Sequence, residues 1–111
     1  MLQITYTLVE TVEQAQTLAR TLVQEKLAAC VNIIPNVQSV YGWQGELTES
    51  SEVSLIIKSS HELKSSLIAR LKALHPYEIP AIASFEASST PEYEAWVATN
   101  MRCHPAGTCW D

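Results

Sequence analysis

The sequence predicts an α+β fold on a βαββαβ plan, and three observations carry that expectation. Segments in which apolar and polar residues alternate are interleaved with segments whose apolar residues recur at helical spacing. Two alternating segments follow each other directly across Gln44-Gly45-Glu46, as the strands of a hairpin do. Each helical segment opens on a Ser or Thr suited to cap it. Strand, helix, hairpin, helix, strand is the split βαβ arrangement, in which right-handed crossovers set both helices on one face of a four-stranded antiparallel sheet.

The first strand is Leu2-Gln3-Ile4-Thr5-Tyr6-Thr7-Leu8, where large apolar residues take every second position. Thr11 and Gln14 form a capping box, and Ala15, Leu18, Ala19, Leu22, Val23 and Leu27 give residues 12–27 one apolar helical face. Residues 30–44 return to β-branched and aromatic side chains, interrupted at Pro35-Asn36, where a missing backbone donor requires a bulge or an edge. Residues 53–58 form the third strand, and the tip of the resulting hairpin is expected to project beyond the domain.

Ser59 with Glu62 reads as a second capping box, and Leu63, Leu67, Ile68, Leu71 and Leu74 mark the second helix. That helix stops before His75-Pro76, because proline drives the residue before it out of the helical region. Residues 80–87 are the fourth strand, with Ile82 and Phe85 as its bulky positions. Thr90-Pro91 starts a short third helix packed through Tyr93, Trp96 and Val97. Residues 1–100 thus form the domain and residues 101–111 a tail without periodicity.

The length of 111 residues suits one core, which should bury roughly two-thirds of the surface of the unfolded chain. A sheet with both main helices on one face leaves its second face bare, and with charged residues at only 17% another subunit is the expected cover. The net charge of −5, with seven Lys and Arg in all, argues against nucleic-acid binding and favours attraction of cations. The start MLQITYTLVET has none of the marks of a secretory signal, and no apolar run approaches a membrane span. A cytoplasmic location with no membrane partner is the expectation, and three cysteines, an odd number, do not make a disulfide framework.

Three segments carry a family resemblance: Glu25-Lys26-Leu27-Ala28-Ala29-Cys30-Val31-Asn32-Ile33-Ile34-Pro35, then Ser39-Val40-Tyr41-Gly42-Trp43-Gln44-Gly45, then Leu74-His75-Pro76-Tyr77-Glu78-Ile79-Pro80. Together with Glu52-Val53-Ser54-Leu55-Ile56-Ile57-Lys58 and Pro91-Glu92-Tyr93-Glu94-Ala95-Trp96, they resemble the CutA divalent-cation tolerance family over most of the chain. The resemblance implies a ferredoxin-like fold, a homotrimer held largely by the long hairpin, and a shape like that of the PII signalling proteins. It also implies that His75-Pro76-Tyr77 borders a cleft between subunits, which Trp43 and Tyr41 would line. Some bacterial members carry a copper-associated cysteine at the end of the first strand, whereas Tyr6-Thr7-Leu8-Val9 has none. The tail lies beyond the recognisable family region.

Each candidate residue has a functional and a structural reading. Cys30 is either a soft-metal ligand for copper or zinc, or a small hydrophobe entering a strand. His75 is either a ligand to a metal or an anionic small molecule, or a helix-stop histidine satisfied by nearby carbonyls. Trp43, His75 and Tyr77 are candidates for a small-molecule site, although aromatics on a projecting hairpin are also interface anchors. Glu52 and Lys58 could contact a ligand, or simply form the solvated face of a strand.

In the tail, Cys103, His104 and Cys109 supply soft donors for copper or zinc, with a reversible Cys103–Cys109 disulfide or a disordered or trimer-capping segment as alternatives. The expected function is a trimeric divalent-metal-binding or copper-tolerance protein. The alternative is a PII-like sensor or adaptor that holds a ligand in the intersubunit cleft. An enzyme with Cys30 as nucleophile and His75 as base is the weakest reading, because nothing in the sequence places the two within reach of each other.

Overall fold

The computed structural model describes residues 1–102. In chain order its elements are β1 (Leu2–Val9), α1 (Val12–Gln24), β2 (Cys30–Trp43) and β3 (Glu46–Ser60). A single 3₁₀ turn (His61–Leu63) leads into α2 (Lys64–Leu74), followed by β4 (Ile82–Ala87) and α3 (Pro91–Thr99). The sheet is antiparallel in the order β2-β3-β1-β4, as the βαββαβ plan requires.

Side-chain alternation sorts the sheet into two faces. Val9, Val53, Leu55 and Ile57 point to one side, where Ala15, Leu18, Ala19 and Leu22 of α1 and Leu67 and Leu71 of α2 close the main core. Val31, Ile33 and Ile82 extend the same layer. The capping box of α1 forms as the sequence indicates: Thr11 Oγ1 accepts from the Gln14 N–H, and the Gln14 side chain accepts from the Thr11 N–H. The helix ends three residues earlier than its apolar pattern suggests, at Gln24, because Lys26 turns into the left-handed region at φ 58°. Leu27 and Ala28 nevertheless stay in the core on the far side of that turn.

The second face is not wholly bare. Val97 of α3 and Met101 pack on it with Leu2, Ile4 and Leu63, and Ile56, Ala87 and Tyr93 border this smaller cluster. Trp96, expected in the packing face of α3, instead lies half-exposed and stacks on Tyr93 at 5.7 Å. Beyond α3 the described residues leave Ile34 and Phe85 of this face substantially exposed.

Two further boundaries differ from the sequence pattern. β3 begins at Glu46 rather than Val53 and runs to Ser60, because its polar first half pairs with β2 and its last residues pair with β1. The expected Ser59 capping box therefore does not form; Ser59 belongs to the strand, and its hydroxyl donates to the Gln3 carbonyl. The hairpin carries the chain out to a longest dimension of 49 Å, against 26 and 23 Å in the other two directions. Among the described residues no helix is long and apolar enough to cross a membrane.

Candidate functional site

A groove of about 760 Å³ lies between the hairpin and the segment that follows α2. One wall is built by a bulge. From Cys30 to Ile34, β2 residues with even numbers pair with even-numbered residues of β3: Cys30 with Lys58, Asn32 with Ile56, Ile34 with Ser54. At Pro35-Asn36, where Asn36 takes φ 62°, one extra residue is absorbed, and thereafter Val37 pairs with Glu52, Ser39 with Ser50 and Tyr41 with Thr48. A regular strand would place Tyr41 and Trp43 on the opposite face from Ile34. The bulge brings them round to the side of Glu52, and both line the groove.

The opposite wall follows from the end of α2. His75 is extended at φ −68° and ψ 134°, as a residue before proline should be, and the chain leaves the helix axis there. The imidazole is buried. Thr7 Oγ1 has one proton and donates it to the Ala81 carbonyl at 2.7 Å, so it accepts from His75 Nε2–H at 3.0 Å. His75 Nδ1 is thereby left unprotonated and accepts the Tyr77 N–H at 3.1 Å. Burial holds the imidazole below the usual histidine range, with the nearby Leu8 backbone pulling weakly the other way. His75 is thus a neutral brace that ties the segment carrying Tyr77 to β1.

Tyr77 leans edge-on against that imidazole, with ring centroids 5.0 Å apart, and reaches across the groove to donate its hydroxyl to Glu52 Oε2 at 2.9 Å. Burial raises the Tyr77 hydroxyl well above the ordinary range; the bond to Glu52 and the negative charges of Glu52 and Glu10 raise it further. Three carboxylates, those of Glu10, Glu52 and Glu78, line the groove beside the rings of Tyr41, Trp43 and Tyr77. Among the described residues that line it there is no Lys, Arg or His.

The structure brings Trp43 and Tyr77 to one groove and sets His75 behind it. Cys30 is elsewhere. It opens β2 level with Lys58 and Ile4, a half-exposed free thiol on the face away from α1 and α2. His75 sits at the level of Thr7, which pairs with Leu55, two strands and three residues away from Cys30, or roughly 10 Å in each direction by strand geometry. Lys58 also points away from the groove, with its ammonium 5.6 Å from the centre of the Tyr93 ring. Among the described residues no three of His, Cys, Asp and Glu gather closely enough to hold a metal ion. Cys103, His104 and Cys109 lie outside the described residues.

Sequence reading singled out Glu52 but not Glu10 or Glu78. Glu10 follows β1 without a pattern of its own, and Glu78 differs from other surface carboxylates only in following Tyr77 directly. No local signal marks either; they meet at the groove through β1–β3 pairing and the turn after α2.

The family model for the CutA1 divalent ion tolerance protein matches residues 3–100. The chain belongs to the CutA1 family. The divalent-cation tolerance protein CutA of Thermus thermophilus is 45% identical over 89 residues, covering 79% of this chain and 86% of that protein. The CutA homolog of Xenopus laevis is 43% identical over 75% of this chain, but the match spans only 56% of that protein. The chain therefore corresponds to most of a bacterial CutA and to about half of this vertebrate relative.

Solved CutA1 structures give the same fold. The Thermus thermophilus protein superposes with a TM-score of 0.85 at 41% identity, covering 91% of this chain and 99% of that one. CutA from Xylella fastidiosa does so at 0.87 and 36%, covering 90% and 97%. The ferredoxin-like, PII-like architecture expected from the resemblance is the architecture of these CutA1 structures.

Proposed function

We propose that this protein is a homotrimeric, non-enzymatic, cytoplasmic member of the CutA1 family that binds divalent cations such as copper or zinc, and that the groove is where ligands are recruited. The observation that carries the proposal is the groove's charge: carboxylates at Glu10, Glu52 and Glu78 with no basic residue among the described lining. Such a recess concentrates cations and repels anions. One subunit does not supply a complete metal site among its described residues, so coordination would be completed where copies meet or by Cys103, His104 and Cys109 of the tail.

The trimer reading is supported by the uncovered part of the second sheet face at Ile34 and Phe85 and by Val40 and Leu47, exposed on the hairpin arm. The non-enzymatic reading rests on the separation of Cys30 from His75, which rules that imidazole out as its base, and on both imidazole nitrogens being engaged in positioning the Tyr77 segment. A second reading, a PII-like small-molecule sensor, is favoured by the three aromatic rings of the groove, which a bare metal ion does not need.

Native mass spectrometry of the protein purified without chelator tests the proposal directly. Trimers carrying zinc or copper, with loss of metal in Glu52→Gln/Glu78→Gln or Cys103→Ser/Cys109→Ser variants, are expected. A monomer, or a trimer that takes up no metal at micromolar concentration, would overturn it.

A further inference from the structure

The groove combines two features that point to one ligand chemistry. The carboxylates of Glu10, Glu52 and Glu78 make it negative. Its walls also carry the rings of Tyr41, Trp43 and Tyr77, whose faces attract a positive charge and whose area attracts apolar bodies. A small hydrated metal ion gains little from aromatic area, and a metabolite anion would meet three carboxylates with no Lys, Arg or His among the described lining.

We propose that the groove binds an organic cation: a small molecule with an ammonium group at the Glu52 carboxylate beside the Tyr41 ring, and an apolar body along Ile79 toward Trp43. This rests on the reading that the groove is the ligand site. The volume of about 760 Å³ is ample for a molecule of metabolite size. Glu52 is held in place for this role, since Tyr77 fixes one carboxylate oxygen at 2.9 Å and the other is left for the ligand. Ile79 is highly exposed at 71% and gives the apolar body a surface to cover.

The test compares three probes of one shape by chemical-shift titration of the intact full-length protein: benzylamine, benzyl alcohol and benzoate. Benzylamine should shift the Tyr77 and Tyr41 signals and bind about tenfold more tightly than benzyl alcohol, with benzoate not binding. Glu52→Gln should erase the preference for the amine while retaining weak binding of the alcohol, and Tyr41→Leu should weaken both. Equal binding of amine and alcohol, or an unchanged preference in Glu52→Gln, would overturn the inference. A zinc titration on the same samples separates the levels. Zinc shifting the groove signals while benzylamine does not would sink the organic cation and leave the groove as a ligand site. Silence to zinc and all three probes would sink both.

Discussion

The Tyr77 hydroxyl donates to the Glu52 carboxylate at 2.9 Å, and this bond joins the segment after α2 to the hairpin arm. It spans two parts of the chain that meet nowhere else through a side-chain hydrogen bond among the described residues. Tyr77→Phe removes it while keeping the ring. The expected cost is about 1 kcal/mol, at the modest end for a bond to a charged acceptor because the pair is only partly buried. Urea unfolding should show that loss, and Trp43 fluorescence should report a more solvated groove before global unfolding.

His75 makes stability depend on pH. Its folded-state pKa lies below its unfolded value, so the unfolded chain binds the extra proton first. The contribution is complete above the unfolded value near 6.5 and is lost as pH falls from there through the lower folded pKa. Melting temperature should therefore decline between about pH 7 and pH 5 in the parent, and decline less steeply over that window in His75→Gln. Equal slopes in the two proteins would show that the imidazole is not held neutral.

The main core predicts a sharp contrast between two helix positions. Leu71 of α2 is fully buried, and Leu71→Ala should cost about 3 kcal/mol in urea unfolding. Val23 lies 40% exposed on α1, where Val23→Ala exchanges a β-branched side chain for a better helix former and should change stability by less than about 0.5 kcal/mol. Similar losses at both positions would contradict the packing described for α1 and α2.

The hairpin closes on Gln44 and Gly45, both in the left-handed region at φ 52° and φ 81°. A Cβ added at Gly45 would meet no heavy atom within 4 Å, so Gly45→Ala carries backbone strain alone, about 1 kcal/mol. Within one subunit most of the arm is exposed on both sides, so its tip can open without disturbing that subunit's core. Hydrogen exchange should therefore quicken at amides near the turn while the melting temperature stays nearly unchanged.

Much of this architecture is legible in the amino-acid order because local chemistry decides it. Thr11 and Gln14 cap α1, Pro76 ends α2 at His75, and Thr90-Pro91 starts α3, each through backbone restrictions that act within a few residues. Where partners are distant the pattern fails. Residues 46–52 are polar enough to pass for a loop, yet they form a strand because β2 lies alongside them. Ser59 has the spacing of a cap but is claimed by its ladder with Gln3. The groove shows the same division: Trp43 and Tyr77 stand out in sequence as aromatics beside turn and proline signals, whereas Glu10 and Glu78 acquire meaning only through the sheet pairing that gathers them.

The extra residue at Pro35-Asn36 also frees the arm from the core. Pairing on either side of that point is complete in itself, so chain length can change there by one residue without inverting either half. The same change inside residues 37–43 would send aromatic side chains to the wrong side. The bulge is thus the natural seam of the molecule, the place where one hairpin arm could be exchanged for another, with different groove chemistry, on an unaltered core.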